Sequence, residues 1–446
     1  MSQKIIEELV KRRVQVVSYA CDGTEVERAV QRLLTTNASS TLQYRIENPR
    51  TRAPDTKIII NGQPICMVQD SKHALKTFRN NLFSGARLLV LGNYIAIYSH
   101  IRQLAREEKS PLYMRDVEKL DRQDDAAATR LFSAGVLQYL CDNHPDYIGE
   151  IVYLFVFGEL IDAYQNRSMP HAERIKLVLR AQYFLDAWEA FLTAGSYPKT
   201  MYTLSREALN ITRIIIEGFL ALVYIHRDFI DGLSPLLPWL HSSEPCEHVF
   251  GEARLIVKDF TMLDFVHMMP KLRIKMRQTV LKAKTSDPRA RASGYMHTYF
   301  DAAGLDELSL SAFPSDEEIH IIAGQAADEA DSLVGLLGLS PSQVHGLYRT
   351  RPALPSISAW YSTPQISQDD NFETSSTIST EDEEVSEAQQ LQDLLDAEEG
   401  LSVSRTTREE REVTKLACAA VALTADEMTK VYVNISYNYI CIYNFP

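Results

Sequence analysis

The segment VQVVSYACDG, residues 14–23, decides how the rest of the chain is read. Its β-branched and aromatic content reads as a buried strand ending at Asp22, with Gly23 after it. Before it, Lys4–Arg13 sets Ile5, Ile6, Leu9 and Val10 on one helical face. After it, residues 23–35 read as a second helix and 36–56 as polar loop. KIIINGQPICMVQD, residues 57–70, is two apolar runs joined through Asn61-Gly62, a hairpin signal, and its second strand ends at Asp70. From Ser71 the periodicity is helical almost to residue 300. Ser205–Phe229 is the most apolar helix, and Pro235, Pro238 and Pro245 punctuate the chain after it. The fold class expected is α/β, mostly α.

With 446 residues, 45% hydrophobic and 24% charged, the chain has material for two or three units with real cores. That composition excludes disorder throughout and a small disulfide scaffold. Cys21, Cys66, Cys141, Cys246, Cys418 and Cys441 stand singly, so neither a zinc finger nor a disulfide framework is readable and a reducing compartment is expected. Leu88–Tyr98 and Ile214–Ile225 are too short to span a bilayer, and MSQKIIEELVKRR lacks a signal peptide's apolar core, so a soluble intracellular protein with no membrane partner is expected.

The net charge of −13 is unevenly held. Residues 301–446 carry 26 Asp and Glu against 7 Lys and Arg, a net of −19, and leave the first 300 residues at +6. A mildly basic body permits an anionic partner without demanding one. Residues 354–416 are rich in Ser, Thr, Asp, Glu and Gln, the composition of an acidic tail that cannot order itself, and should be the first to be proteolysed. The final VYVNISYNYICIYNFP, residues 431–446, carries no charge and reads either as translated non-coding sequence or as a short C-terminal strand.

Three acidic residues stand out. Asp22 and Asp70 end predicted strands. Glu247 lies in HSSEPCEHVFGEAR, residues 241–254, where Ser242 or Ser243 could cap a helix carrying Glu247 and Arg254. Carboxylates on strand ends and a helix can hold two hard cations about 4 Å apart for in-line phosphoryl transfer. Each also has a plainer reading: turn chemistry for Asp22, a helix cap for Asp70, a solvated ion pair for Glu247. His73 and His248 read as packed or surface histidines. In KLRIKMRQTVLKAKTSDPRARA, residues 271–292, the bases Lys271, Arg273, Lys275, Arg277, Lys282 and Lys284 lead the list of DNA-contact candidates. Lys271, Lys275 and Lys282 would share a helical face able to track phosphates, or that face is simply solvated.

SEPCEHVFGEAR, residues 243–254, is similar to the Asp-Pro-x-Glu-Asn-Phe-Phe-Gly-x-x-Arg block of P element and THAP-domain transposases, matching at Pro245, Glu247, Phe250, Gly251 and Arg254, with Glu244 in place of the Asp and His248 in place of the Asn. VVSYACDG resembles that family's strand-plus-Asp-Gly block. VQDSKHALKTFRNNL resembles its Asp-Pro-x-His-Leu-Leu-Lys-x-x-Arg-Asn block at Asp70, His73, Leu75, Lys76, Arg79 and Asn80. DRQDDAAATRLFSAGVLQYL and GELIDAYQNR resemble segments between these blocks, so the likeness runs in order from about residue 5 to 260.

The resemblance implies a ribonuclease H-like core interrupted by a long α-helical insertion. Residues 1–95 would be its last strands, 96–235 the insertion, 236–353 the closing core helix with the basic segment, and 354–446 the disordered acidic tail. It implies two Asp and one Glu binding Mg2+ for cleavage and joining of DNA at transposon ends. Asp22 would be the second catalytic acid, Glu247 the third, both metal ligands, and Asp70 an accessory acid. It further implies a nuclear protein and a homo-oligomer. The family's first Asp, the first three strands of its fold and the zinc finger have no counterpart here. Weak metal binding, a defective enzyme and an exposed sheet edge are therefore expected, or a non-catalytic DNA-binding or interaction protein of the same ancestry.

Overall fold

The computed structural model describes residues 2–50, 56–60, 63–118, 122–230, 234–283, 306–349 and 439–443. Helix α1 (Ser2–Lys11) leads into strand β1 (Gln15–Cys21), followed by α2 (Glu25–Thr36), β2 (Ser40–Tyr44), β3 (Thr56–Ile60) and β4 (Pro64–Gln69). Helix α3 (Ser71–Phe83) precedes a small hairpin of β5 (Leu89–Leu91) and β6 (Tyr94–Ala96). Short helices follow: α4 (Tyr98–Leu104), α5 (Met114–Val117), α6 (Asp125–Leu131) and α7 (Ala134–Asn143). The long α8 (Ile148–Gln165), α9 (His171–Ala194) and α11 (Arg206–Phe229) come next, with α10 (Lys199–Tyr202) between the last two. After them lie α12 (Glu244–Ile256), α13 (Met262–Ala283), α14 (Glu307–Leu310), α15 (Asp316–Leu336), α16 (Pro341–Arg349) and strand β7 (Tyr439–Tyr443).

Strand order in the main sheet is β2-β3-β4-β1-β7. β1 and β4 run parallel, with Ser18 opposite Cys66 and Cys21 opposite Gln69. Parallel central strands must be covered on both faces, which is why Val16, Val17, Tyr19, Ala20 and Cys21 have no exposure and the run VQVVSYAC carries no alternation. On one face α1 and α2 bury Ile5, Ile6, Leu9 and Leu34 against Val16, Tyr19 and Ile65. On the other, a continuous apolar core joins Val17, Ala20 and Val68 to Phe157, Phe184, Ile215 and Phe219. Gly218 lets α11 lie directly on β4, since a Cβ there would stand 2.5 Å from the Met67 carbonyl oxygen. The protein is thus mostly helical around a small mixed sheet.

Several expectations need correcting. β2 falls inside the stretch read as polar loop. Leu42, Tyr44 and Ile46 alternate with exposed Gln43 and Arg45, a period-2 pattern inside a polar stretch, and the strand pairs antiparallel with β3. β5 and β6 interrupt the region read as wholly helical. Gly92, at φ +60°, and Asn93 turn the chain between Leu91 and Tyr94, a two-residue hairpin hidden between apolar flanks. The free edge expected beside β1 is covered: β7 pairs with it antiparallel, Val16 opposite Ile442 and Ala20 opposite Tyr439. Finally, α11 matches the helix read over Ser205–Phe229, and the run Ile214–Ile225, too short alone to span a bilayer, is only part of it. By length and composition it could cross a bilayer, but 89% of its most apolar window is packed inside the protein. The remainder of the expected acidic tail, and the Asn61-Gly62 turn, lie outside the described residues.

Candidate functional site

Asp22 is the first residue past β1, and the backbone around it is tightly fixed. Gly23 takes φ +95°, open to glycine, and a Cβ there would come within 2.7 Å of Gln69 Oε1. Thr24 then starts α2 with a capping box: Glu27 Oε2 accepts the backbone N–H groups of Gly23 at 3.1 Å and Thr24 at 3.0 Å. On the adjacent parallel strand, the Asp70 N–H donates to the Cys21 carbonyl at 2.8 Å. Asp22 and Asp70 therefore stand at the same, C-terminal end of the two central strands, where open α/β sheets place their sites.

They do different work there. Asp70 is 1% exposed and every oxygen is engaged. Its Oδ1 caps α3 by accepting the N–H groups of Lys72 at 2.8 Å and His73 at 3.0 Å. Its Oδ2 accepts the Ser243 N–H at 2.9 Å and the Ser243 hydroxyl at 2.8 Å. Asp70 is thus the helix cap of its plainer reading, and through Ser243 it is also a clamp that joins the start of α3 to the start of α12. Ser243 consequently makes no side-chain cap on α12, contrary to expectation. Pro245 at the second helical position has no N–H to satisfy, which lowers the need for one. Lys72 reinforces the joint through Glu244 at 2.7 Å. Burial opposes the Glu244 charge, but His248 and Lys72 outweigh it and hold the carboxyl down at about 2.

The clamp delivers two side chains to Asp22. Glu247 lies one turn into α12 and His73 in the first turn of α3. One ligand-type atom from each of Asp22, His73 and Glu247 lies within 4.8 Å of the other two, although Asp22 and Glu247 are 225 positions apart in the chain. His73 Nε2 is 3.4 Å from Glu247 Oε1 and 3.7 Å from Asp22 Oδ1. Asp22 Oδ1 is buried without a hydrogen-bond partner. Burial pushes the Asp22 carboxyl up to about 6, against the opposing pull of His73 and Ser243. Burial resists the charge on His73 as well, but the Glu247 hydrogen bond and the charges of Asp70 and Asp22 win, raising it to about 9. Between these values the pair is ionised, an imidazolium facing two carboxylates. His73, read from the sequence as a packed or surface residue, is the member that was missed. Its position three residues after a capping Asp, on the helix that opens at the strand end, was the available signal.

Lys271, Arg273, Lys275 and Arg277 lie on α13, which pairs with α12 through Val249, Ala253, Met268 and Leu272. Phe260, just before α13, stacks on Phe250, and Phe265 of α13 is tilted against Phe250. Lys275 is bonded to Glu252 at 2.8 Å, so the expected basic face is partly neutralised. Lys282 falls in the last turn of α13, and Lys284 lies outside the described residues. Compared with known protein families, curated proteins and solved structures, the chain matches none.

Proposed function

We propose that this is a transposase-derived protein with a ribonuclease H-like core, which keeps DNA binding and has lost DNA strand cleavage. The observation that carries the reading is the meeting of Asp22 and Glu247 at the end of two parallel strands, the placement that the transposase resemblance requires of its second and third acids. The basic residues of α13 supply the contact to the phosphate backbone.

The donor set does not suit the pair of Mg2+ ions that such a reaction uses. Three side chains with ligand atoms within 4.8 Å of one another are too few to fix two ions about 4 Å apart. One donor is an imidazole nitrogen, whereas Mg2+ prefers an octahedron of oxygens. Asp70, which could have added a carboxylate, has no oxygen to spare. No cleavage step is therefore assigned to these residues. This favours the non-catalytic form of the ancestry over an active enzyme.

The test is duplex-DNA binding by the full chain across a salt series, with a nicking assay in Mg2+ alongside. Binding should weaken with salt at a logarithmic slope of about −3, as three or four phosphate contacts give, with no nicking. A slope near zero would remove DNA as the partner, and Mg2+-dependent nicking abolished by Glu247→Gln would restore the enzyme.

A further inference from the structure

The misfit to Mg2+ is itself informative, because the same three groups suit a different ion. We infer that Asp22, His73 and Glu247 form a site for a single zinc-class divalent cation, with His73 Nε2 as the third protein ligand and solvent completing the shell. Apart from the meeting of Asp22 and Glu247, this inference does not depend on the transposase ancestry or on DNA binding.

The spacing supports it first. A tetrahedral Zn2+ with bonds of about 2.0–2.2 Å holds its donors roughly 3.3–3.5 Å apart. His73 Nε2 already lies 3.4 Å from Glu247 Oε1 and 3.7 Å from Asp22 Oδ1, so these spacings need only small adjustment. Chemistry supports it second. Two carboxylates and one imidazole form the kind of mixed oxygen-nitrogen set that zinc accepts with an open fourth position, and their two negative charges balance a dication. Third, Asp22 Oδ1 is buried beside the imidazole with no hydrogen-bond partner, a state that buried carboxylate oxygens rarely show and that a metal bond relieves.

The supporting shell is already in place. Asp70 fixes the His73 backbone through Oδ1 and the start of the Glu247 helix through Oδ2, so one fully bonded carboxylate positions two of the three ligands. The approach is open as well: the Glu247 side chain is 46% exposed, and those of Asp22 and His73 are 25% exposed. An ion can enter from solvent without unfolding the sheet.

The experiment is calorimetric titration of the metal-stripped full chain with Zn2+ and, separately, Mg2+, followed by absorption spectra with Co2+ as a coloured stand-in. One Zn2+ per chain is expected at this site, bound at least about a hundredfold more tightly than Mg2+, and Co2+ should show the strong visible bands of a low-coordinate site. His73→Ala should weaken Zn2+ by at least about a hundredfold, beyond the roughly 10–100-fold that loss of an outer-shell partner costs. Should His73→Ala fail to fold, Asp22→Asn and Glu247→Gln, which keep side-chain volume, must show the same loss. Equal affinity for Mg2+ and Zn2+, two ions bound in this cluster, or Zn2+ binding unchanged in all three variants would overturn the inference. The first two of these outcomes would do so while leaving a metal-binding transposase core intact.

Discussion

Strand β1 touches histidines in two places, and the two settings treat the same side chain in opposite ways. At its open end, Asp22 faces His73 together with Glu247, and the imidazole is raised to about 9. Four residues earlier on the same strand, the hydroxyl of buried Ser18 is 2.8 Å from His241 Nδ1. His241 stands edge-on to His226, and Phe313 lies between His226 and His171, on which it stacks. His171 donates from Nε2 to the Leu310 carbonyl at 2.8 Å, which sets its tautomer. Burial pulls His241 down to about 3 and His171 to about 4, and drives His226 down as well. Desolvation opposes the charged imidazole in both regions, so it does not separate them. What separates them is the carboxylates of Asp22, Asp70 and Glu247 around His73.

The largest effect should come from the clamp that creates the first region. Asp70→Ala strands the Lys72, His73 and Ser243 donors and removes a helix cap, so urea unfolding should show a loss of about 4 kcal/mol. Asp22→Asn should stay within about 1 kcal/mol, because burial already disfavours that charge. Equal costs for the two would mean that Asp70 and Asp22 do not differ in role.

Acid should expose the second region. A histidine whose folded value is depressed keeps its full stability above the unfolded value of about 6.5 and loses it as pH falls towards the folded value. Asp22 and Asp162, both raised to about 6 by burial, push the other way over part of that range. The comparison is therefore wild type against His241→Asn, in which those terms cancel. Between pH 7 and 4.5 the wild type should lose about 3 kcal/mol more than the variant. Parallel pH profiles would show that His241 is not held neutral. Ser18→Ala should have a smaller effect, about 1–2 kcal/mol at pH 7, by taking a buried hydroxyl from His241. A shift below a few tenths would mean that the Ser18–His241 contact carries no stability.

The sequence made one of these regions legible and not the other. The ends of β1 and β4 were readable because apolar runs that stop at Asp are a local pattern, and resemblance in the SEPCEHVFGEAR block brought Glu247 into the same argument. That Asp70 would be consumed by Ser243, 173 positions away, could not be read, because a cap and a ligand look alike in one dimension. His73 matched the resembling block but was given no role there, and its charge depends on neighbours assembled from three elements. The histidine cluster was invisible for the same reason: His171, His226 and His241 are scattered on α9, on α11 and in the turn before α12, with no spacing to link them. Strand β2 and the β5–β6 hairpin had local signals, the alternation of Leu42, Tyr44 and Ile46 and the Gly92-Asn93 turn, but each is short and set in a stretch whose wider composition reads as loop or helix.

The smallest predicted effect lies on the alkaline side and bears most directly on the difference between the two regions. A histidine whose folded value is raised contributes stability that is complete below about 6.5 and disappears as pH climbs through the folded value, here about 9. The energy involved is modest. Glu247 is 46% exposed, so solvent screens its attraction, and the loss between pH 7 and 10 should be below about 1 kcal/mol. A melting curve would barely register it, but the ring proton resonances of His73 report it directly. In the metal-free protein they should titrate near 9, while those of His241 should not move above pH 5. In the double variant Asp22→Asn with Glu247→Gln, burial loses most of its opposition, with only Asp70 left to oppose it, and the His73 midpoint should drop to 6.5 or lower. A wild-type midpoint at or below 7, or one unchanged in the double variant, would show that the carboxylates do not set the charge of His73, and the contrast between the two ends of β1 would fall.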